Sequence, residues 1–372
     1  MELVERSPEY IRAIAPYQPG KPISELAREM GLDEGSIVKL ASNENPLGLS
    51  PAAKAAIEHA LSDLARYPDG NAFELKAALS RHYGVSPECL VIGTGSNDLL
   101  ELAAGAFLIP GSTAVYSRHA FAVYPLATQA RGAKGIVVPA INYCHDLNGI
   151  YSAIGNDTRI VFIANPNNPT GTYLSGADIE AFLGKVPSNV AVVLDEAYNE
   201  YLPHELRTDS VRWLKTHRNL IITRTFSKAY GLAGLRVGFG IMGPAVADLL
   251  NRLRQPFNVN SLALAAATAA LADQEFVARS YELNRSGMAQ LEAGFRGLGL
   301  QWIPSYGNFI SFEVPRKNGA SHAGVVYGKL LKQGVIVRPV AGYEMPDHLR
   351  VTIGTTDENN RFLVALAVAM AE

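Results

Sequence analysis

Along this chain, short runs of uninterrupted apolar residues alternate with longer stretches whose apolar positions recur every three or four residues. The runs at 89–93, 113–117, 135–139, 158–164, 190–194 and 219–223 are too short and too evenly apolar for amphipathic helices. They read as strands buried on both faces. Helical periodicity fills 51–64 and 73–83 and stretches between the later strands, and this alternation predicts an α/β fold with a mostly parallel sheet. Past 258 the pattern changes. An alanine-rich helix over 261–298 leads to short strands within 302–314, 335–339 and 349–353, with helices at about 321–333 and 357–371, a smaller α+β unit. The first 35 residues hold Pro8, Pro16, Pro19 and Pro22 before a short helix at 23–30 and read as an arm. The expected division is therefore 1–35 arm, 36–258 large domain and 259–372 small domain.

Size agrees with that division, because 372 residues at 48% apolar composition exceed what one hydrophobic core usually organises. Charge narrows the partners. The formal net charge is −2 and no basic block occurs, so neither nucleic acid nor an anionic membrane surface is an expected partner. Cys89 and Cys144 stand far apart with no CxxC spacing, which argues against a disulfide framework and against a metal site. With no signal-like start and no apolar run of spanning length, the expected location is the cytoplasm.

The chemistry gathers where strands end. Lys228 follows the apolar 219–223 run within Thr225-Phe226-Ser227-Lys228-Ala229-Tyr230-Gly231, with Arg236 eight positions on. An amine beside hydroxyls and an arginine is what the aldehyde and phosphate of pyridoxal phosphate require of a Schiff-base lysine. Asp195 follows the apolar 190–194 run, where a carboxylate is costly to bury unless a cation meets it. A pyridinium nitrogen, a helix N-cap or a magnesium site each answers, but the last lacks its GxxxxGK(S/T) loop. Gly95, Ser96 and Asn97 lie between a strand and a helix, so the free amides of the helix N-terminus form an anion site. Asp98 stands where a dinucleotide fingerprint needs its third glycine. Arg338 and Arg350 each sit inside a hydrophobic strand pattern, where an unpaired guanidinium is expensive; an anionic ligand or an intradomain ion pair would meet them.

Thr-Phe-Ser-Lys-Ala-Tyr-Gly-Leu-Ala-Gly-Leu-Arg-Val-Gly at 225–238 resembles the lysine segment of fold-type-I pyridoxal-phosphate aminotransferases, most closely that of histidinol-phosphate aminotransferases. The likeness continues through Asn43-Glu44-Asn45-Pro46, Arg66-Tyr67-Pro68-Asp69-Gly70, Asn168-Pro169-Thr170-Gly171 and Asp195-Glu196-Ala197-Tyr198. It implies a large domain built on a seven-stranded sheet. It also implies pyridoxal 5'-phosphate as cofactor, with Lys228 catalytic, Phe121 stacked on the ring, Asn168 and Tyr198 on its phenolate oxygen and Asp195 on its nitrogen. Gly95, Ser96, Asn97, Thr225, Ser227 and Arg236 would hold the phosphate, joined by Tyr67 from the partner subunit of a homodimer with shared active sites. Tyr17, Asn43, Arg338 and Arg350 would face the substrate. Thr94 departs from the family's usual Gly-Asn-Gly-Ser wording, which backbone contacts tolerate.

The resemblance implies transamination in two halves: an amine donor gives up nitrogen, and a keto acid such as 2-oxoglutarate receives it and leaves as glutamate. Histidinol phosphate is the expected donor. An aromatic amino acid, phenylalanine or tyrosine, fits the same residues, and a decarboxylase of the same fold would share Lys228 and Asp195. His119, a lone loop histidine, reads as structural.

Overall fold

A computed structural model describes residues 3–371. Val38–Lys39 forms β1. Seven further strands follow in chain order: β2 Leu90–Gly93, β3 Thr113–Ser117, β4 Lys134–Val138, β5 Thr158–Ala164, β6 Ala191–Asp195, β7 Leu220–Thr225 and β8 Gly238–Met242. They make one sheet in the order β2-β8-β7-β6-β5-β3-β4. All neighbours are parallel except β8, which runs against both β2 and β7. Strands β2, β5, β6, β7 and β8 are almost wholly buried, as the apolar runs within β2, β5, β6 and β7 require when helices cover both faces. One covering core joins the sheet to helices Phe73–Tyr83 and Ser261–Ala272, and the other joins it to Ser96–Phe107 and Pro244–Leu253.

β8 is the strand that hydrophobic pattern does not reveal, because glycines interrupt it. They are there for closeness: a Cβ on Gly238 would stand 2.6 Å from the Ser96 nitrogen and 2.7 Å from the Gly95 carbonyl carbon. The bare backbone of β8 thus lets the Gly95-Ser96 turn lie directly on the sheet. Glu196, immediately after β6, pairs with Arg224 at 2.7 Å with both side chains 8% exposed, and it also accepts from Ser210 Oγ. This buried pair ties the ends of β6 and β7 together beside the functional residues.

The C-terminal strands are β9 Trp302–Ile303, β10 Phe309–Glu313, β11 Val335–Ile336, β12 Arg338–Pro339 and β13 His348–Thr352. Four of them form an antiparallel sheet, β12-β13-β10-β9, while β11 pairs in parallel with β1. Leu40 enters the core of this second unit beside Phe312, Val335 and Phe362, so the stretch that follows the arm packs with the C-terminal strands. The long helix expected over 261–298 is instead two, Ser261–Ala272 and Gln274–Gly297. Asp273 separates them by capping the second, its carboxylate accepting from the Phe276 amide at 3.1 Å. Ala263, Ala266 and Ala267 of the first helix belong to the core of the large sheet. No helix among the described residues is long and apolar enough to cross a membrane.

Candidate active site

The registers of the sheet explain why residues far apart in sequence meet. Asp195, the last residue of β6, lies beside Thr223 of β7, and Lys228 follows three residues after β7 ends. Both therefore reach one sheet edge, at the carboxyl ends of parallel strands where α/β folds place ligands. A cleft of about 200 Å³ opens there. Its walls bring together fourteen of the expected residues: Tyr17 and Asn43 from the N-terminal segment; Ser96, Asn97, Phe121, Asn168, Asp195, Tyr198, Thr225, Ser227, Lys228 and Arg236 from the large sheet; Arg338 and Arg350 from the small one.

Lys228 Nζ donates to the Ser42 carbonyl at 2.9 Å. Burial, helped by the positive charge of Arg350, pulls its amine down to about 7 from the usual 10.5. Near neutral pH a large share of it is then the free base, whereas a solvated lysine is almost all ammonium. In the cofactor-free protein, amine acylation at Lys228 is accordingly expected to outrun that at surface lysines at pH 7.5, and to slow as pH falls through 7. Peptide mass spectrometry after brief labelling reads this; uniform labelling of all lysines would contradict it.

Asp195 is 5% exposed, accepts from the Tyr124 hydroxyl at 2.9 Å and from the Ala197 amide at 3.3 Å, and has no cation among its partners. Burial raises its carboxyl to about 6. A buried carboxylate with neutral partners only is a standing invitation to a cationic ligand. Tyr198 accepts from Asn43 Nδ2 at 2.8 Å, and burial lifts its phenol to about 12, so the hydroxyl stays protonated.

Arg338 and Arg350 are direct cross-strand partners in β12 and β13, which puts two like charges on one face of the small sheet. Arg350 is 5% exposed. Its Nη1 donates to Asn168 Oδ1 at 2.5 Å and its Nη2 to the Ala41 carbonyl at 2.8 Å, while Nε has no protein partner. Because Oδ1 of Asn168 is engaged by Arg350, the amide NH₂ is the end left to donate elsewhere. Arg338 is half-buried, donating to the Tyr17 hydroxyl at 3.3 Å and the Gln18 carbonyl at 2.7 Å. No carboxylate pairs with either arginine among the described residues.

The anion end is equally built. Gly95 has φ 82°, a left-handed value suited to glycine, and a Cβ there would lie 2.6 Å from Arg236 Nη2. Arg236 itself holds a left-handed φ of 58°, its guanidinium donating to Ser227 Oγ at 3.3 Å and to the Ala233 carbonyl at 3.0 Å. Thr94, the departure from the usual wording, spends its amide on Asp98 and its hydroxyl on the Asn258 carbonyl. Its task is to shape the turn.

Of the expected residues, two do not line this cleft: Gly95, which lies beside Arg236, and Tyr67. Tyr67 is 81% exposed and stacks on Phe257 with ring centroids 4.8 Å apart. His119 holds the Tyr343 carbonyl through Nδ1 at 2.6 Å, a contact between two loops. Sequence reasoning did not find Tyr124, the Ser42 carbonyl or Tyr343, all of which belong to this site. Tyr124 is the second residue of its helix, Val123–Ala130, with no local sign of its role, and a backbone carbonyl carries no side-chain signature at all.

A lysine, an aspartate and two arginines converging at the carboxyl edge of a seven-stranded sheet are what the aminotransferase fold assembles, and residues 35–366 match the family described as "Aminotransferase class I and II". The chain belongs to that family and is a transaminase. It is 61% identical over 370 residues to Histidinol-phosphate aminotransferase 2 of Nitrosospira multiformis, covering 100% of this chain and 93% of that protein. It is 63% identical over 364 residues to Histidinol-phosphate aminotransferase of Methylobacillus flagellatus, covering 98% and 97%. Among solved structures, it resembles histidinol-phosphate aminotransferase from Sinorhizobium meliloti in complex with pyridoxal-5'-phosphate, with a TM-score of 0.89, 28% identity and 98% of each chain covered.

Proposed function

We propose that this enzyme is a pyridoxal-phosphate-dependent histidinol-phosphate:2-oxoglutarate aminotransferase. The observation that carries the cofactor is Asp195, a buried carboxylate with only neutral partners, in one cleft with a lysine whose amine is near its titration point at neutral pH. The residues present fit the group. The Ser96 and Asn97 amides, Thr225, Ser227 and Arg236 would hold its phosphate, Asp195 its ring nitrogen, and Asn168 and Tyr198 its phenolate, with Phe121 against the ring. When bound, the cofactor supplies an electron sink for the pair released as the substrate Cα–H bond breaks. Asp195 would hold a proton on the ring nitrogen, and Lys228 Nζ would anchor the aldehyde and, once released, act as the base that accepts the Cα proton.

The donor is read from the two arginines. Directly opposed guanidinia with no protein carboxylate call for a strong anion, and a phosphate monoester on a flat imidazole-bearing amine supplies it. The names of the relatives at 56–63% identity point the same way. Glutamate and 2-oxoglutarate would use the same clamp through a carboxylate. We also propose a homodimer in which exposed Tyr67 reaches the partner's phosphate site, and a small domain that gathers the 37–43 stretch with the residues after 273.

The test is a pair of single-turnover spectra on the holoenzyme, with histidinol phosphate and with phenylalanine. Histidinol phosphate is expected to react faster by at least about two orders of magnitude, below the roughly 10⁴–10⁵ by which a site built to bind a polar group rejects an analogue lacking it, because phenylalanine keeps a carboxylate for the same arginines. Equal or faster reaction with phenylalanine would replace this reading by an aromatic aminotransferase. Release of carbon dioxide without a keto acid would replace it by a decarboxylase.

A further inference from the structure

Tyr343 lines the cleft between Arg338 and Arg350, yet none of the contacts described above uses its side chain. The residue packs against the small cluster of Ile303, Val340 and Met345 while also lining the cleft. Tyr343, Arg338 and Tyr17 line the same cleft, and Arg338 donates to the Tyr17 hydroxyl at 3.3 Å. A phenol hydroxyl carries one proton that it can donate. Burial raises the Tyr343 phenol, which keeps that proton in place across the working range.

The position of Tyr343 is fixed from across the cleft. His119 Nδ1 lies 2.6 Å from the Tyr343 carbonyl oxygen, and Arg118 reaches Glu344 at 3.5 Å. Both come from the loop that also carries Phe121, so the ring-stacking wall and the Tyr343 turn are held as one piece.

We propose that Tyr343 is a specificity-determining residue whose hydroxyl donates to the phosphate end of the amino donor; this rests on the substrate reading given above. The reason is a count of oxygens. A carboxylate has two, and one guanidinium fork satisfies them. A phosphate monoester has three terminal oxygens and nearly two negative charges, and so retains acceptor capacity after the fork is filled. Tyr343, outboard beside Arg338, supplies the donor that only the phosphate needs. It therefore favours the phosphorylated donor over glutamate, although both use the same arginines.

Tyr343→Phe removes the hydroxyl and keeps the ring. In single-turnover titrations of the holoenzyme, the apparent dissociation constant for histidinol phosphate should rise roughly tenfold, the scale of one hydrogen bond to a charged group. That for glutamate should stay within about twofold, with both limiting rates nearly unchanged. An equal loss for both donors would make Tyr343 a general packing residue and overturn the proposal, as would no loss for either. If the unmodified enzyme fails to convert histidinol phosphate, the substrate reading itself falls and takes this proposal with it. If it converts histidinol phosphate and Tyr343→Phe is silent, the proposal alone falls.

Discussion

Lys228→Ala is expected to lower turnover by at least about 10³-fold, because it removes both the anchoring amine and a base whose proton affinity the cleft has brought down near neutrality. The loss should lie in the limiting rate of each half-reaction, leaving the fold intact, since Nζ makes one hydrogen bond among the described residues, to the Ser42 carbonyl. Added small amines should restore part of the rate if the missing function is proton transfer. Survival of more than a few per cent of the activity would mean that another residue carries the proton. Tyr198 stands nearest in kind, its ring centroid 5.9 Å from Nζ, but its phenol, pushed up to about 12, is a poor base at pH 7.

Asp195→Asn should have the second largest effect, and an opposite effect on two readouts. Activity should fall by roughly 10²–10³-fold, the scale of losing one oriented electrostatic group in a buried site. The cofactor-free protein should become more stable. The sign follows from the raised carboxyl: the folded state binds its proton more tightly than the unfolded chain, so the penalty of holding a bare carboxylate is full above about pH 6 and vanishes below about 4. A shift from 3.8 to about 6 corresponds to about 3 kcal/mol at pH 7. Urea unfolding of cofactor-free wild type and variant at pH 7.5 and pH 4.5 should therefore give a gap at the higher pH that narrows at the lower. A variant less stable at pH 7.5 would show that the Tyr124 and Ala197 hydrogen bonds outweigh desolvation at this site.

The parts of the fold that sequence conveyed best were those where composition alone dictates placement. Runs such as 158–164 and 190–194 can be buried on both faces and little else, and the polar residue after such a run falls at a sheet edge. Asp195 and Lys228 were legible for that reason. Arg338 and Arg350 were legible as charges in apolar strands, but their direct opposition across β12 and β13 is a matter of register that no local pattern carries. β8 was hidden because close approach to the Gly95-Ser96 turn demands glycine, which erases the hydrophobic signal of a strand. The break at Asp273 did have a signal, an aspartate three residues before Phe276, masked by the high helical propensity of the alanines around it. Tyr124 and Tyr343 owe their places wholly to tertiary packing.

The bond between Arg350 and Asn168 bears on how this enzyme could be re-engineered. The arginine proposed to receive the substrate's anion also sets which way the Asn168 amide points, so exchanging Arg350 to admit a neutral or cationic donor is expected to disturb the hydrogen bonding proposed for the cofactor along with the recognition. A designer who wants a new donor should leave Arg350 alone and vary Tyr17, Arg338 and Tyr343. Those three line the cleft without bonding Asn168, so exchanging them is expected to change what the enzyme selects and to leave the Asn168 amide as it is.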